Sequence, residues 1–151
     1  MRRNILLFSA AVLIALTAGR AFWVTLGENP FNMSGATYVA FFQQLDRRIA
    51  IPIAVTGIGG TLLAGLAAMA HRTDRRVFSL LLAAFGLAAI GSLVTVLVNV
   101  PINERVAAWN PAALPPDYEM FLRRWWEWHQ VRMAALFTSM CLVLAAMLVR
   151  K

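Results

Sequence analysis

Four long stretches without a charged side chain constrain this chain more than any other feature. Three of them cover residues 49–70, 77–103 and 133–149, and the fourth covers 4–19 and continues past Arg20 to Leu26. A helix needs about 20 apolar residues to cross the ~30 Å hydrocarbon core of a bilayer. With 60% hydrophobic and only 14% charged residues among 151, the chain is more apolar than a soluble domain of this length. We therefore predict an integral membrane protein in contact with the lipid bilayer.

The fold predicted from these stretches is all-α, because backbone that crosses lipid must satisfy its own hydrogen bonds. We expect one membrane domain over residues 1–151, a four-transmembrane-helix bundle with spans at about 5–26, 50–70, 78–100 and 129–149. The segment TYVAFFQQLDRRIA before span two has an aromatic and a polar face at helical spacing, which predicts a short extracytoplasmic interfacial helix. A long outer loop would connect spans three and four.

The distribution of charge predicts the orientation of the bundle. With a cytoplasmic N-terminus, the inner segments carry seven basic residues against the single acid Asp74, a net +6, and the outer segments carry seven arginines against six acids, a net +1. The seven inner basic residues are Arg2, Arg3, Arg72, Arg75, Arg76, Arg150 and Lys151. The positive-inside rule then predicts a protein of the bacterial inner membrane with both termini in the cytoplasm. The overall charge of +7 is explained as an orientation signal, so nucleic acid is not an expected partner.

Polar residues concentrate around the loop between spans three and four. Asn99 and Asn103 are spaced by four, close to one helical turn, at the end of span three. Trp126, His129 and Arg132 follow at successive spacings of three, which places them on one helical face that descends into the membrane. A guanidinium at that depth is costly unless it is satisfied, so Arg132 is expected to face a pocket.

Folding four spans into a bundle would bring these groups together at the outer ends of the helices. A histidine offers a general base near neutral pH, and arginines with amide donors offer stabilisation for an anion. The candidate catalytic residues are His129, Arg132, Asn99 and Asn103, and the candidate substrate-binding residues are Arg20, Gln44, Trp126 and Trp109. Structural alternatives stay open: Arg20 could snorkel to the headgroups, the asparagines could cap the helix end, and the tryptophans could form an aromatic belt.

Three short motifs carry a resemblance. The segment FFQQLDRR before span two, VPIN after span three and WxxHxxR leading into span four resemble the anthrone oxygenase-like family of small four-helix membrane proteins. The resemblance implies oxygenation of an anthrone to an anthraquinone without a metal or flavin, so no cofactor is expected. Asn99, Asn103, His129 and Arg132 match the polar positions of the family, whereas Asp46 stands where the family commonly has Asn.

The resemblance and the residues together suggest a mechanism for a hydrophobic, acidic aromatic substrate, anthrone-like or phenol-like. His129 would remove a proton from a phenol or an activated methylene, and Arg132 with the two asparagines would stabilise the anion. The carbanion would then reduce dioxygen, the second substrate, and the peroxide adduct would lose water to give a quinone.

Two other classes stay open at this point. A non-catalytic membrane module would bind a lipid or an apolar ligand, or serve as a small subunit of a membrane complex, with its polar groups holding the bundle together. A metallo-redox protein would ligate haem or copper through His129, although the stretch supplies too few ligands for a structural metal site. Small residues in span two permit a homo-oligomer. The sequence leaves open whether the chain is an enzyme.

Overall fold

The structure, a computed structural model, describes residues 2–149, without the side chains of Arg2 and Arg47. Its helical segments are α1 (Arg2–Gly27), α2 (Gly35–Ala70), α3 (Arg75–Val94), a π-helical turn (Thr95–Asn99), α4 (Val100–Ala108) and α5 (Tyr118–Val149). Four helical stretches are long and apolar enough to cross a membrane: Arg3–Gly27, Arg48–Ala70, Arg75–Ala108 and Tyr118–Val149. The predicted all-α fold with four spans is confirmed. Arg150 and Lys151, which contribute to the predicted charge bias, lie outside the described residues.

The four spans form a closed ring in which neighbours along the chain are neighbours in space. Helix α2 packs against α1 and α3, α5 packs against the same two helices, and α2 and α5 lie diagonally opposite with little contact. Leu7, near the start of α1, shares a core cluster with Ala146, near the end of α5. The start of α1 and the end of α5 therefore lie at one end of the bundle. The α1–α2 and α4–α5 loops lie at the other end, which we call the loop end.

Helix α2 is packed tightly only at its two ends. Ser34 caps its start, with the hydroxyl oxygen accepting a hydrogen bond from the Thr37 N–H at 3.2 Å. The segment predicted as an interfacial helix forms the opening turns of α2 and is continuous with span two. Between Val39 and Gly60, none of the α2 residues whose burial is described is buried. This part of α2 therefore leaves space between itself and the rest of the bundle.

The end of span three is distorted by Pro101. Proline has no N–H to donate, and its ring crowds the preceding turn of a helix. The backbone widens into the π-helical turn, in which the Val100 N–H donates to the carbonyl of Thr95. Asn99 is turned fully into the core by this turn. The helix then continues as α4 to Ala108, so the predicted outer loop is helical in its first part.

Gln43 ties the start of α2 to the end of α4. Its amide nitrogen donates to the carbonyl oxygens of Val106 (3.2 Å), Ala107 (3.2 Å) and Trp109 (2.8 Å). The last carbonyls of a helix have no partner within that helix, so the amide satisfies groups that would otherwise need water. This contact fixes the register between two of the elements that surround the site.

Candidate functional site

A cavity of about 240 Å³ lies between the loosely packed part of α2 and the loop-end halves of the other spans. Its α2 side is mainly apolar, with Phe41, Phe42 and Ile53 among the lining residues. The ionisable and amide side chains in its wall are Arg20, Glu28, Tyr38, Asp46, Asn103 and Arg132. The volume is slightly below the ~300–1,000 Å³ range of pockets for drug-sized ligands, so the cavity suits a small apolar molecule with few polar groups.

Arg20 enters this cavity from α1 and forms an ion pair at its edge. Its Nη2 lies 2.7 Å from Oε2 of Glu28, which follows the end of the same helix. The side chains of both residues are largely buried, 22% and 12% exposed. The other terminal nitrogen of Arg20, Nη1, is buried without a hydrogen-bond partner among the described residues. Arg20 therefore lies in the pocket instead of snorkelling to the membrane surface.

Arg132 lines the cavity from α5, the helix that packs beside α1. Its Nη2 lies 2.8 Å from Nδ1 of His129, one helical turn earlier, and its Nη1 donates to Thr95 Oγ1 at 3.4 Å. The Nε–H is buried and has no acceptor within the described part of the chain. A guanidinium can only donate hydrogen bonds, so Nδ1 of His129 must be the acceptor and carries no proton.

His129 lies behind Arg132 and is not among the residues that line the cavity. Its Nε2 lies 3.1 Å from the carbonyl oxygen of Ala21 and 3.2 Å from Thr25 Oγ1. Because a carbonyl can only accept, the single ring proton of the neutral imidazole is on Nε2. The side chain is fully buried, and both ring nitrogens are used inside the protein. His129, which we expected to face the pocket as a general base, is therefore buried and connects α1 to Arg132.

Two tryptophans hold the imidazole in place. The Trp125 ring is parallel to it, with centroids 5.1 Å apart and an interplanar angle of 1°, and the Trp126 ring lies at 5.6 Å and 26°. Trp125 is itself fixed by the amides of span three: its Nε1 donates to Asn103 Oδ1 at 2.7 Å, and its carbonyl accepts from Asn99 Nδ2 at 3.2 Å. The two asparagines thus position Trp125, whose ring forms part of the cavity wall.

Of the eight candidate residues, the structure brings three into the cavity wall: Arg20, Asn103 and Arg132. His129 and Asn99 lie directly behind that wall. The remaining candidates do not line the cavity: Gln44 is exposed, Trp126 covers the far side of the imidazole, and Trp109 packs edge-on against Phe121 at 6.2 Å.

Sequence reasoning missed several residues of the wall. Trp125 is not among the eight candidates, although its spacing of four from His129 is a signal that the rings stack. Tyr38 and Glu28 carried no motif. Burial, and next the Glu28 carboxylate, raises the pKa of Tyr38 well above its ordinary value, so the phenol stays protonated. Partial burial also raises the pKa of the Asp46 carboxyl, the other acid of the wall.

The unpaired donors of the cavity favour an anion or a strong hydrogen-bond acceptor. Two guanidinium groups and two carboxylates, Glu28 and Asp46, line it, and Glu28 is already paired with Arg20. The buried donors Arg20 Nη1 and Arg132 Nε have no acceptor among the described residues, and an unsatisfied buried donor costs about 1–3 kcal/mol or more when charged. Among the same residues, no group of three or more His, Cys, Asp and Glu side chains could hold a metal ion.

The fold and the cavity define a four-span membrane protein with a largely apolar cavity and two unpaired guanidinium donors beside it. The chain matches the family model described as anthrone oxygenase over residues 41–142, more than half of its length, and it belongs to that family. No curated protein and no solved structure matches the chain. The matched region includes Asp46, Asn99, Asn103 and Arg132, and Arg20 precedes it.

Proposed function

We propose that the protein is a membrane-embedded oxygenase that needs no cofactor and acts on a hydrophobic, acidic aromatic substrate of the anthrone or phenol type. The observation that carries the proposal is the Arg132 Nε–H, a buried charged donor in a largely apolar cavity with no acceptor in the described chain. Family membership supports the same reaction class. Dioxygen, being small and apolar, can reach the cavity through the bilayer.

Arg132 is suited to stabilise the anion on which this chemistry depends. Removing a proton from the methylene of an anthrone places negative charge on the ring carbonyl oxygen, and a donor aimed at that oxygen is worth about 10²–10³-fold in rate. The His129 and Thr95 contacts hold the two terminal guanidinium nitrogens, which leaves the Nε–H as the donor available to an acceptor. Arg20 Nη1 supplies a second donor for an acceptor group on the same molecule.

The overall reaction consumes one anthrone and one dioxygen and yields one anthraquinone and one water. The methylene carbon loses two hydrogens and gains one oxygen atom, and the second oxygen atom leaves as water. The four electrons that reduce dioxygen come from the substrate, so the balance needs no external reductant. In this reaction Arg132 binds the oxyanion, His129 positions Arg132, and Asn99 and Asn103 position the Trp125 wall.

The test measures oxygen uptake and quinone absorbance when purified protein in detergent is mixed with a generic anthrone under air. Wild-type protein should turn over, and Arg132→Gln should lose about 10²–10³-fold of the rate. The matched control is Arg124→Gln, which changes an exposed arginine of the same helix and should keep the full rate. An unchanged rate in Arg132→Gln, or no wild-type turnover above buffer, contradicts the proposal.

A second candidate function is favoured by the fully bonded state of His129. Both ring nitrogens of His129 are hydrogen-bonded, so the ring holds the Arg132 guanidinium in a fixed position. A fixed guanidinium can bind an anion in a binding protein as well as in an enzyme. Such a module would bind the same acidic aromatic ligand without converting it. Isothermal titration with the anthrone under nitrogen, followed by exposure to air, separates the two functions, because binding without quinone formation identifies the binding module. An absorption spectrum of the purified protein tests separately for haem.

The charge bias of the sequence supports an orientation for this site. With the termini in the cytoplasm of a bacterial inner membrane, the loop end and its cavity lie near the extracytoplasmic face. Cysteine labelling by a membrane-impermeant maleimide at an introduced Asp117→Cys, in intact cells without the native Cys141, should succeed. Labelling only after the cells are opened would reverse the orientation.

A further inference from the structure

The proposed oxygenation needs a base that reaches the substrate, and the cavity wall offers few. A general base must lie within hydrogen-bond reach of the proton that it removes. Two carboxylates line the cavity, Glu28 at the α1 side and Asp46 on α2. The hydroxyl and amide groups of the wall are far too weak as bases at neutral pH, and Tyr38 stays protonated.

His129 is not placed to remove the proton. Arg132 occupies its Nδ1, and the proton on Nε2 is directed to the Ala21 carbonyl. Its ring stacks with two indoles and is outside the cavity wall. Acting as the base would require loss of the contact that holds Arg132 against the ligand.

Glu28 is also occupied, because its carboxylate is bound at 2.7 Å by the Arg20 guanidinium. A carboxylate paired with a guanidinium is a weaker base, since protonation would break the ion pair. Asp46 has no hydrogen-bond or ion-pair partner among the described residues, and it is partly buried on the wall. It lies on the loosely packed stretch of α2, beside the apolar residues that would contact an aromatic ring.

We infer that Asp46 is the general base of this site and removes the methylene proton of the bound anthrone while Arg132 binds the oxyanion that forms. The inference rests on the proposed function, because it assigns the proton transfer of that reaction. It replaces His129 in the catalytic role expected from the sequence and makes His129 a positioning residue. The Asn that the family commonly has at this position cannot accept a proton, so the role belongs to this chain and not to the whole family.

The protons and electrons of this reaction balance with dioxygen as the only co-reactant. Asp46 takes the first methylene proton, and the C–H electron pair stays on the substrate as an enolate. The enolate carbon is oxidised as it forms a C–O bond to dioxygen, and the peroxide takes the proton back from Asp46. Asp46 then removes the remaining C–H proton, the C=O bond forms, the O–O bond breaks, and the hydroxide released takes that proton and leaves as water.

The experiment follows proton removal without oxygen. Under anaerobic conditions in D₂O buffer, NMR measures the exchange of the anthrone methylene protons in the presence of wild-type protein. We expect exchange faster than in detergent buffer alone, a loss of about 10²–10⁴-fold of that acceleration in Asp46→Asn, and partial recovery in Asp46→Glu. Asp117→Asn, at an exposed acid of the α4–α5 loop, is the matched control and should exchange like wild type. Thermal unfolding in detergent checks that each variant is folded.

The outcomes separate this inference from the proposed function. Equal acceleration in wild type and Asp46→Asn, or a loss in Glu28→Gln with full activity in Asp46→Asn, overturns Asp46 as the base even when quinone forms under air. No acceleration by wild-type protein overturns it as well. Asp46-dependent exchange without quinone formation under air supports the base and refutes the oxygenase.

Discussion

The hydrogen bond between Arg132 and His129 can be tested by a double-mutant cycle. The variant His129→Phe keeps an aromatic ring between Trp125 and Trp126 but removes the acceptor for Arg132 Nη2 at 2.8 Å. A hydrogen bond to a charged group contributes about 1.5–3 kcal/mol, and each retained ring contact about 0.5–1.5 kcal/mol. We therefore expect His129→Phe to lower the free energy of unfolding by about 2–3 kcal/mol, and His129→Ala, which also loses the ring contacts, to lower it further.

Removal of the charge should reverse most of this loss. In Arg132→Met no guanidinium needs an acceptor, and replacing both partners by apolar groups is often close to neutral. The double variant with His129→Phe should therefore be more stable than the sum of the two single changes predicts, by about 1.5–3 kcal/mol. The control pair is Arg124→Met with His129→Phe, for which additive effects are expected because Arg124 is exposed.

The assay is reversible unfolding in mixed micelles of mild detergent and SDS, followed by far-ultraviolet circular dichroism. Binding provides a second readout: His129→Phe releases Arg132 from its position, so the Kd for an acidic aromatic ligand should rise about tenfold for each 1.4 kcal/mol of positioning lost. Additive stabilities in the cycle, or a Kd unchanged in His129→Phe, would refute the assignment of His129 as the residue that holds Arg132.

The remaining predictions concern the two faces of α2, the volume of the cavity and its pH dependence. Gln43→Ala should lower the free energy of unfolding by about 1–3 kcal/mol in the same assay, because two carbonyls of α4 and that of Trp109 lose their donor. Gln44→Ala, at the exposed neighbouring position, should change it by under about 0.5 kcal/mol. Gly57→Leu should fill the cavity and abolish ligand binding in calorimetry, since a Cβ at Gly57 meets only Thr17 Cγ2 at 3.7 Å, and Gly86→Leu, outside the cavity wall, should bind normally. Turnover should fall as the pH drops through the pKa of Asp46, which burial raises above its ordinary value, because only the ionised carboxylate accepts a proton; a profile in which Asp46→Asn keeps this acidic limb would contradict the assignment.

Most of the fold could be predicted from the sequence because the determining signals are local. The absence of charge over about 20 consecutive residues defines a span whatever its neighbours are. Helical spacing likewise placed Trp126, His129 and Arg132 on one face of α5, where the structure stacks Trp126 on His129 and bonds His129 to Arg132. The continuity of α2 through residues 35–70 was missed, because the polar residues near its start resemble those of a separate interfacial helix.

The site could be predicted only in part, because spacing gives a shared face but not what that face meets. Neighbouring helical residues point about 100° apart, so Gln43 reaches the last carbonyls of α4 while Gln44 faces outward. Nothing in FFQQ distinguishes the two glutamines. From the sequence, Arg20 could either snorkel to the headgroups or face a pocket. The ion pair with Glu28, the residue that follows α1, decides for the pocket.

The sequence by itself determined that the chain crosses a membrane four times as helices and carries its polar residues near one end, because hydrophobic length and helical period belong to the chain itself. Only the tertiary structure decided which polar groups line the cavity and which are hydrogen-bonded behind its wall. His129 is the plainest example, since its role depends on Ala21 and Arg132, contributed by two helices that meet only in the folded ring.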